Sequence, residues 1–338
     1  MKTTILKKVA ALGLTAIMGM SLLAGCSGSA PADTASTEAE TSYKVGVMQY
    51  ADHPSLDNCK DGFIQGLKAE GIEEGVNLEL TTSSAQGDDA LNTQIAQNFV
   101  NSGVDLVCGI ATPSAMAAYN ACYESDIPVV FNAVSDPIAA GLAISETEPM
   151  DLITGVSDQL PVEEQLKMIR AILPEAKTIG IIYTTSEVNS VSTIETYKQL
   201  APDYGFEIVE RGVSNAAEIA QALDSILGEV DCISNMTDNT VVNNLPLELE
   251  KANEANVPVF GSEEEQVVNG CLASAGIDYI ELGKKAGVMA AKILRGEDVA
   301  NIPYETMESS KITINPAVAD QLGITISDEV LSGADIVE

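Results

Sequence analysis

The stretch VGVMQYADHPSLDNCKDGFIQGL, residues 45–67, decides the fold. Val45-Gly46-Val47-Met48 is a short apolar run that breaks into a polar loop at residues 49–54. It resumes at helical spacing through Phe63, Ile64 and Leu67. An apolar run bounded by turn residues and followed by an amphipathic segment predicts a buried parallel strand feeding a helix. Ser55 or Asp57 is expected to cap that helix, because a side-chain oxygen there accepts from amides with no partner inside the helix. Open α/β sheets place their ligands just beyond the carboxyl ends of the strands. The loop carrying Gln49, Tyr50 and His53 is therefore the first candidate wall of a binding site.

Outward from this stretch the same alternation continues. Strands are predicted over 76–82, 104–110 and 127–133, with helices over 88–101 and 113–125 between them. Near Ile153-Thr154-Gly155 the pattern restarts. Helices over 162–173, 187–200, 216–227 and 241–256 alternate with strands over 178–183, 206–210, 230–235 and 257–261. Strands alternating with helices of this length imply βαβ units and mostly parallel sheets. The halves echo each other. Gly103-Val104-Asp105-Leu106-Val107 leads through a Thr-Pro-Ser turn to Ile127-Pro128-Val129-Val130-Phe131. Glu229-Val230-Asp231-Cys232-Ile233 leads through a Thr-Asp-Asn turn to Val257-Pro258-Val259-Phe260. A repeat of roughly one domain per copy predicts two similar α/β lobes. A further strand over 271–275, a helix over 279–294, an extended piece over 304–314 and a last short helix imply that the chain crosses between lobes more than once.

The amino terminus reads as an address. Lys2, Lys7 and Lys8 precede an apolar run over residues 9–24, the pattern of a secretory signal. The run ends in Leu23-Ala24-Gly25-Cys26, similar to a bacterial lipobox, so Cys26 is the expected lipidation site after removal of 1–25. Residues 26–42 hold no aromatic or large aliphatic side chain and are expected to form a flexible tether beside a membrane. Seventeen basic against 50 acidic residues give a formal net charge of −33, a field that repels phosphates and excludes nucleic acid as a partner. Cys59, Cys108, Cys122, Cys232 and Cys271 are odd in number and lack a C-x-x-C, which predicts buried free thiols. With a lone histidine and scattered thiols, no metal site is expected.

Candidate site residues follow from the strand ends. Thr112-Pro113-Ser114 starts a helix with Pro in its first turn, and the free amides and hydroxyls there suit an anion such as an α-carboxylate. Asp136, Glu187 and Asp238 lie on strand-end loops of both halves and could hold an ammonium. Ser135, Ser186, Asn189, Ser190 and Asn239 could donate or accept across the gap, and Tyr50 could stack on an aromatic or apolar group. Catalysis is disfavoured. His53 and Asp57 lack a Gly-x-Ser-x-Gly elbow to supply a nucleophile. Cys108 and Cys232, which a two-lobed amino-acid racemase would use as a pair, fall within strands and not at their reactive ends.

Several of these segments, in order, carry a resemblance: Gln49…His53-Pro54-x-Leu56-Asp57, Ala85-Gln86-Gly87-Asp88, Ile110-Ala111-Thr112-Pro113 and Val134-Ser135-Asp136-Pro137. Thr154-Gly155-Val156-Ser157-Asp158, Ser186-Glu187-x-Asn189-Ser190, Thr237-Asp238-Asn239-Thr240 and Gly276-Ile277-Asp278-Tyr279 extend it. Together they resemble the ABC-transporter substrate-binding lipoproteins that include tryptophan/tyrosine-type uptake receptors. The resemblance implies the type I periplasmic-binding-protein fold, with three hinge crossings and a ligand closed between two lobes. Lobe 1 is then expected over 43–154 and 276–303, and lobe 2 over 155–275 and 304–338. It further implies an extracytoplasmic, lipid-anchored, monomeric receptor without cofactor. Such a receptor captures a small zwitterion, an apolar or aromatic amino acid, for a permease and ATPase. Thr184-Thr185 stands where the family pattern has Asn-Pro, and Met236 where it has proline, both beside the cleft. A sensory receptor serving a membrane kinase shares every one of these features, and a racemase-like enzyme is the remaining alternative.

Overall fold

The computed structural model describes residues 42–307 and 310–337. The expected signal, the lipidation site Cys26 and nearly all of the tether lie outside the described residues.

From the opening stretch the chain forms β1 (Tyr43–Gln49) and α1 (Pro54–Ala69), then β2 (Leu78–Ser84), α2 (Asp89–Ser102), β3 (Leu106–Ile110), α3 (Thr112–Cys122) and β4 (Val129–Asn132). A two-stranded ribbon, β5 (Ala143–Ser145) with β6 (Glu148–Pro149), precedes β7 (Ile153–Ser157). β1, β3, β4 and β7 pair in parallel and are buried along almost their whole length, which is why they read as near-continuous apolar runs.

The second half repeats this plan with α4 (Val162–Ile172), β8 (Thr178–Thr184), α5 (Val188–Leu200), β9 (Glu207–Val213), α6 (Ile219–Ile226) and β10 (Cys232–Ser234). Where one helix is expected over 241–256 there are two, α7 (Asn239–Asn243) and α8 (Leu245–Ala255). Pro246 has no amide to bond back, so the helix restarts there. β11 (Val259–Phe260), α9 (Glu264–Val268) and β12 (Ala273–Gly276) follow. The strand orders are β4-β3-β1-β2 in the first sheet and β11-β10-β8-β9 in the second, the same order in equivalent units. The duplication extends to single hydrogen bonds. Asp105 accepts from the Lys44 amide at 2.7 Å, and Asp231 from the Lys177 amide at 2.6 Å, each tying the start of a neighbouring strand.

The chain then returns to the first lobe in α10 (Tyr279–Leu294), which lies along α1, and in β13 (Glu305–Thr306), which pairs with β7. It crosses again to β14 (Lys311–Ile314), α11 (Pro316–Leu322), α12 (Asp328–Ser332) and β15 (Asp335–Ile336), with β14 antiparallel to β12. Three crossings result, after β7, before α10 and after β13. The first sheet therefore reaches Ser157 and takes in Thr306, a few residues past the boundaries expected at 154 and 303. α1 and α10 touch backbone to backbone. A Cβ on Gly66 would sit 2.3 Å from the Lys284 carbonyl oxygen, and one on Gly287 2.2 Å from that of Phe63.

The start of α1 differs from expectation. Neither Ser55 nor Asp57 caps it: Pro54 takes the first helical position and His53 the cap, without a side-chain bond to the helix. Ser55 instead reaches across to the second lobe, and Asp57 meets Lys60 at 2.7 Å.

Candidate functional site

The strand ends of the two sheets face each other across a small, nearly closed cavity of about 20 Å³. From the first lobe its wall is built by His53 and Ser55 after β1, Ala111 and Thr112 after β3, Ala133 and Ser135 after β4, and Asp158 after β7. From the second lobe come Asn189, Thr237, Asp238, Asn239 and Glu263, and from α10, which follows the second crossing, Tyr279. Two of these residues, Ala111 and Ala133, hold positive φ angles of 74° and 59°. Such backbone is costly for a side-chain-bearing residue and persists where the surroundings enforce it. At Ala111 the strand turns abruptly into α3, which begins at Thr112 with Pro113 behind it, so the helix's amino terminus, with its unpaired amides, lies at the cavity wall.

The lobes touch directly. Ser55 donates to Glu263 at 2.8 Å, and Asn58 donates to Glu265 at 2.5 Å. The Ser135 and Thr237 hydroxyls lie 2.9 Å apart, and the Ser192 hydroxyl donates to Asp136. These contacts define a closed cleft.

The cavity is acidic, and no lysine or arginine lines it. Asp158 is buried and accepts from the Ser135 hydroxyl at 2.9 Å and from the Tyr279 hydroxyl at 3.0 Å. Burial pushes its carboxyl up to about 6, helped by the nearby Glu263 charge, while the two hydroxyl bonds pull the other way. Burial and the Asp158 charge hold the Tyr279 phenol well above its usual range, so it stays a donor. His53 is pushed down by burial against the opposing pull of Glu263, which leaves its ring neutral near pH 7.

The expected site residues separate into three groups. Thr112, Ser135, Asn189, Asp238 and Asn239 line the cavity. Asp238 is spent on the protein itself: it caps α7 through the Val241 amide at 2.9 Å and accepts from the Thr184 amide at 2.6 Å and the Ser190 hydroxyl at 2.7 Å. Glu187, Ser190 and Asp136 stand behind the wall. Glu187 takes the Asn239 side-chain amide at 2.7 Å, the Asn239 and Thr240 backbone amides at 3.2 Å each, and the Thr240 hydroxyl. Burial and the neighbouring Asp238 raise its carboxyl to about 7. Asp136 accepts from the Ala139 amide at 2.9 Å and closes on Ser192. The remainder turn elsewhere. Gln49 donates to the Ala51 carbonyl at 2.7 Å, Tyr50 to Asp89 at 2.9 Å, and Ser114 to Asn92 at 2.8 Å, while Ser186 is exposed. Beyond the expected set the cavity uses Asp158, Tyr279, Thr237, Glu263 and Ser55. The first three fall inside the motifs that carry the family resemblance.

Cys59, Cys108, Cys122, Cys232 and Cys271 are all buried free thiols. Cys108 and Cys232 lie within β3 and β10, outside the cavity wall, and burial drives both thiols far above their ordinary range. Neither is placed to move a proton.

Two duplicated α/β lobes meeting over a buried polar cavity at their strand ends define a cleft-closing binding protein. The chain belongs to the ABC transporter substrate binding protein family, whose pattern matches residues 44–338. Proteins of this family work outside the cytoplasm, where they hold a substrate for an ABC transporter. The chain is 39% identical, over 91% of its own length and 90% of the relative's, to a tyrosine-binding protein of Clostridioides difficile strain R20291. It superposes with a TM-score of 0.85 on an ABC domain from Streptococcus pneumonia in complex with L-Trp, at 34% identity, covering 88% of this chain and all of that one. Against the ligand-free, open structure of a Clostridium difficile substrate binding protein with adhesive properties the TM-score is 0.67, at 37% identity and 88% and 99% coverage. Similar identity with a lower score is the expected signature of the same lobes at a different opening angle. Among the described residues no helix is long and apolar enough to cross a membrane.

Proposed function

We propose that the chain captures an amino acid in the interlobe cavity, with its ammonium at Asp158 and its carboxylate at the amino terminus of α3. The observation that carries this reading is the cavity's charge. A buried carboxylate with no basic neighbour in the wall, whose side-chain partners are both hydroxyls, lacks a cation. An ammonium supplies one, with Ser135 and Tyr279 holding the acceptor in place. Thr112 and the unpaired amides of α3 present the complementary site for a carboxylate, a zwitterion's other pole. The tyrosine-binding relative and the tryptophan-bound neighbour support an amino acid with an aromatic side chain. Binding then works without catalysis, as a monomer, and the closed form is handed to an ABC permease and its ATPase. The protein is held at the membrane surface by lipid on Cys26.

Thermal denaturation of the purified protein against the standard amino acids, sugars and polyols tests the reading, because a ligand that binds only the folded state raises the midpoint. Aromatic amino acids are expected to give the largest rises, and a rise with sugars alone would overturn the assignment. The anchor is tested by Cys26→Ala in a bacterial host. Unprocessed precursor without lipid label is expected, and mature lipid-labelled protein from that variant would contradict it.

A further inference from the structure

His53 is the only histidine in the chain. It forms part of the cavity wall, yet neither ring nitrogen, Nδ1 or Nε2, has a well-formed hydrogen bond, although the Asn239 side chain lies near enough to act on the ring. Buried polar atoms are nearly always paired, because one left alone forfeits the hydrogen bonds it made in water. The helix it precedes gives no reason for the loss, since the ring makes no capping bond to α1.

Its position suggests what pairs it. Along the first sheet the order β7-β4-β3-β1 sets Asp158, Ser135, Thr112 and His53 in a row at the strand ends. Three strand spacings, about 14 Å, separate the ends of that row. A ligand whose ammonium and carboxylate lie at Asp158 and α3 therefore extends its side chain toward His53. The ring is also a partition. It is shared, with Ser55, Val242 and Glu263, between the enclosed cavity and an outer groove of about 280 Å³ whose wall mixes Pro54, Leu245 and Pro246 with the acids Asp52 and Glu265. A side chain too large for the enclosed space lies against the imidazole.

We infer that His53 reads the side chain of the bound amino acid by a hydrogen bond to a hydroxyl or N–H at its far end. This rests on the amino-acid reading above and narrows it to ligands with a phenol or indole, against hydrocarbon side chains of similar size. A neutral imidazole offers one acceptor and one donor, so a phenol satisfies it in either sense and an indole N–H by donation. A benzyl or isobutyl side chain leaves the nitrogens orphaned, and that penalty is the discrimination.

Calorimetric titration with L-tyrosine, L-phenylalanine and L-leucine, on the wild type, His53→Leu and His53→Gln, tests it. The wild type is expected to prefer tyrosine to phenylalanine by about tenfold or more. His53→Leu should lose that preference and His53→Gln keep part of it. Because the histidine is alone, protein labelled with ¹⁵N-histidine reports a single imidazole. Its nitrogens should move to hydrogen-bonded positions with tyrosine and not with phenylalanine, a readout that survives if His53→Leu misfolds. Equal affinities in the wild type, or a preference that persists in His53→Leu, would overturn the inference while leaving amino-acid capture standing. An imidazole that responds alike to tyrosine, phenylalanine and leucine would also overturn it. No binding of any amino acid by the wild type would overturn the amino-acid reading and this inference together.

Discussion

Asp158 illustrates how one buried carboxyl can couple a site to pH. Its carboxyl lies at about 6 in the folded chain, against 3.8 ordinarily, because burial penalises the charge and Glu263 adds to the penalty. The folded state therefore holds a proton that the unfolded state has released between about pH 4 and 6. The stability this group contributes is fully present below about pH 4 and is lost as pH rises through about 6, on the order of 3 kcal/mol. An ammonium bound beside it reverses the preference, since only the ionised form attracts the ligand. Affinity should accordingly fall about tenfold per pH unit below about 6. Asp158→Asn keeps the shape and removes the charge. It is expected to weaken amino-acid binding by about 1.5–3 kcal/mol, roughly 10- to 150-fold, and to flatten that pH dependence. Calorimetry between pH 5 and 8 on both proteins checks this. An unchanged affinity in the variant would show that the ammonium lies elsewhere.

The same residue scale shows where sequence reading stops. Asp136, Glu187 and Asp238 were expected as ammonium partners because all three sit on strand-end loops. Their carboxylates are occupied by donors far along the chain, such as Thr184, whose amide lies 54 residues from the Asp238 it bonds. Nothing local to Asp238 announces that bond. Asp158 was legible only as part of Ser157-Asp158 in a family motif, since its partner Ser135 comes from the neighbouring strand end and its partner Tyr279 from a helix that returns by the second crossing. His53 was visible as a lone histidine on the right loop, but its missing partners exist only in three dimensions.

At the scale of elements, α1 and α10 are the clearest case of sequence acting through packing. Gly62 and Gly66 on one helix face Gly283 and Gly287 on the other, and the helices approach until carbonyl oxygens lie where side chains would stand. α10 arrives by the second crossing, so this contact fastens the returning chain to the first lobe. Gly66→Ala would place its Cβ 2.3 Å from the Lys284 carbonyl oxygen. The helices must then separate, at a cost of about 1–3 kcal/mol typical of overpacking. A lower denaturant midpoint with unchanged slope is the expected result, and wild-type stability would contradict the close contact. The duplicated strands were readable because buried parallel strands are apolar throughout and because Asp105 and Asp231 follow matching Val-Asp steps. β13 and β14 were readable only as one extended piece over 304–314, because the two exposed residues of β13, Glu305 and Thr306, leave no pattern that sets them apart. The break between α7 and α8 was present in the sequence as Pro246, overridden there by the helical spacing around it.

For the molecule as a whole, closure and capture are one event. In the closed cleft Ser55, Asn58, Ser135 and Asp136 meet groups of the opposite lobe that water would satisfy were the lobes apart. Such contacts roughly exchange one set of hydrogen bonds for another, so they do not by themselves favour closing. A ligand held at Asp158 and α3 of the first lobe does so only by also bonding the second-lobe wall, where Asn189 lines the cavity with its Oδ1 unpaired, since only stronger binding to the closed form can shift the equilibrium. The strongly negative chain, net −33, repels anionic solutes but not neutral, zwitterionic or cationic ones. The most direct test is a crystal structure of the protein grown with L-tyrosine. The account predicts tyrosine enclosed between the lobes, its amine within hydrogen-bond distance of Asp158 and its carboxylate at the amino terminus of α3. A ligand bound outside the cavity, or one with its carboxylate turned toward Asp158, would contradict it.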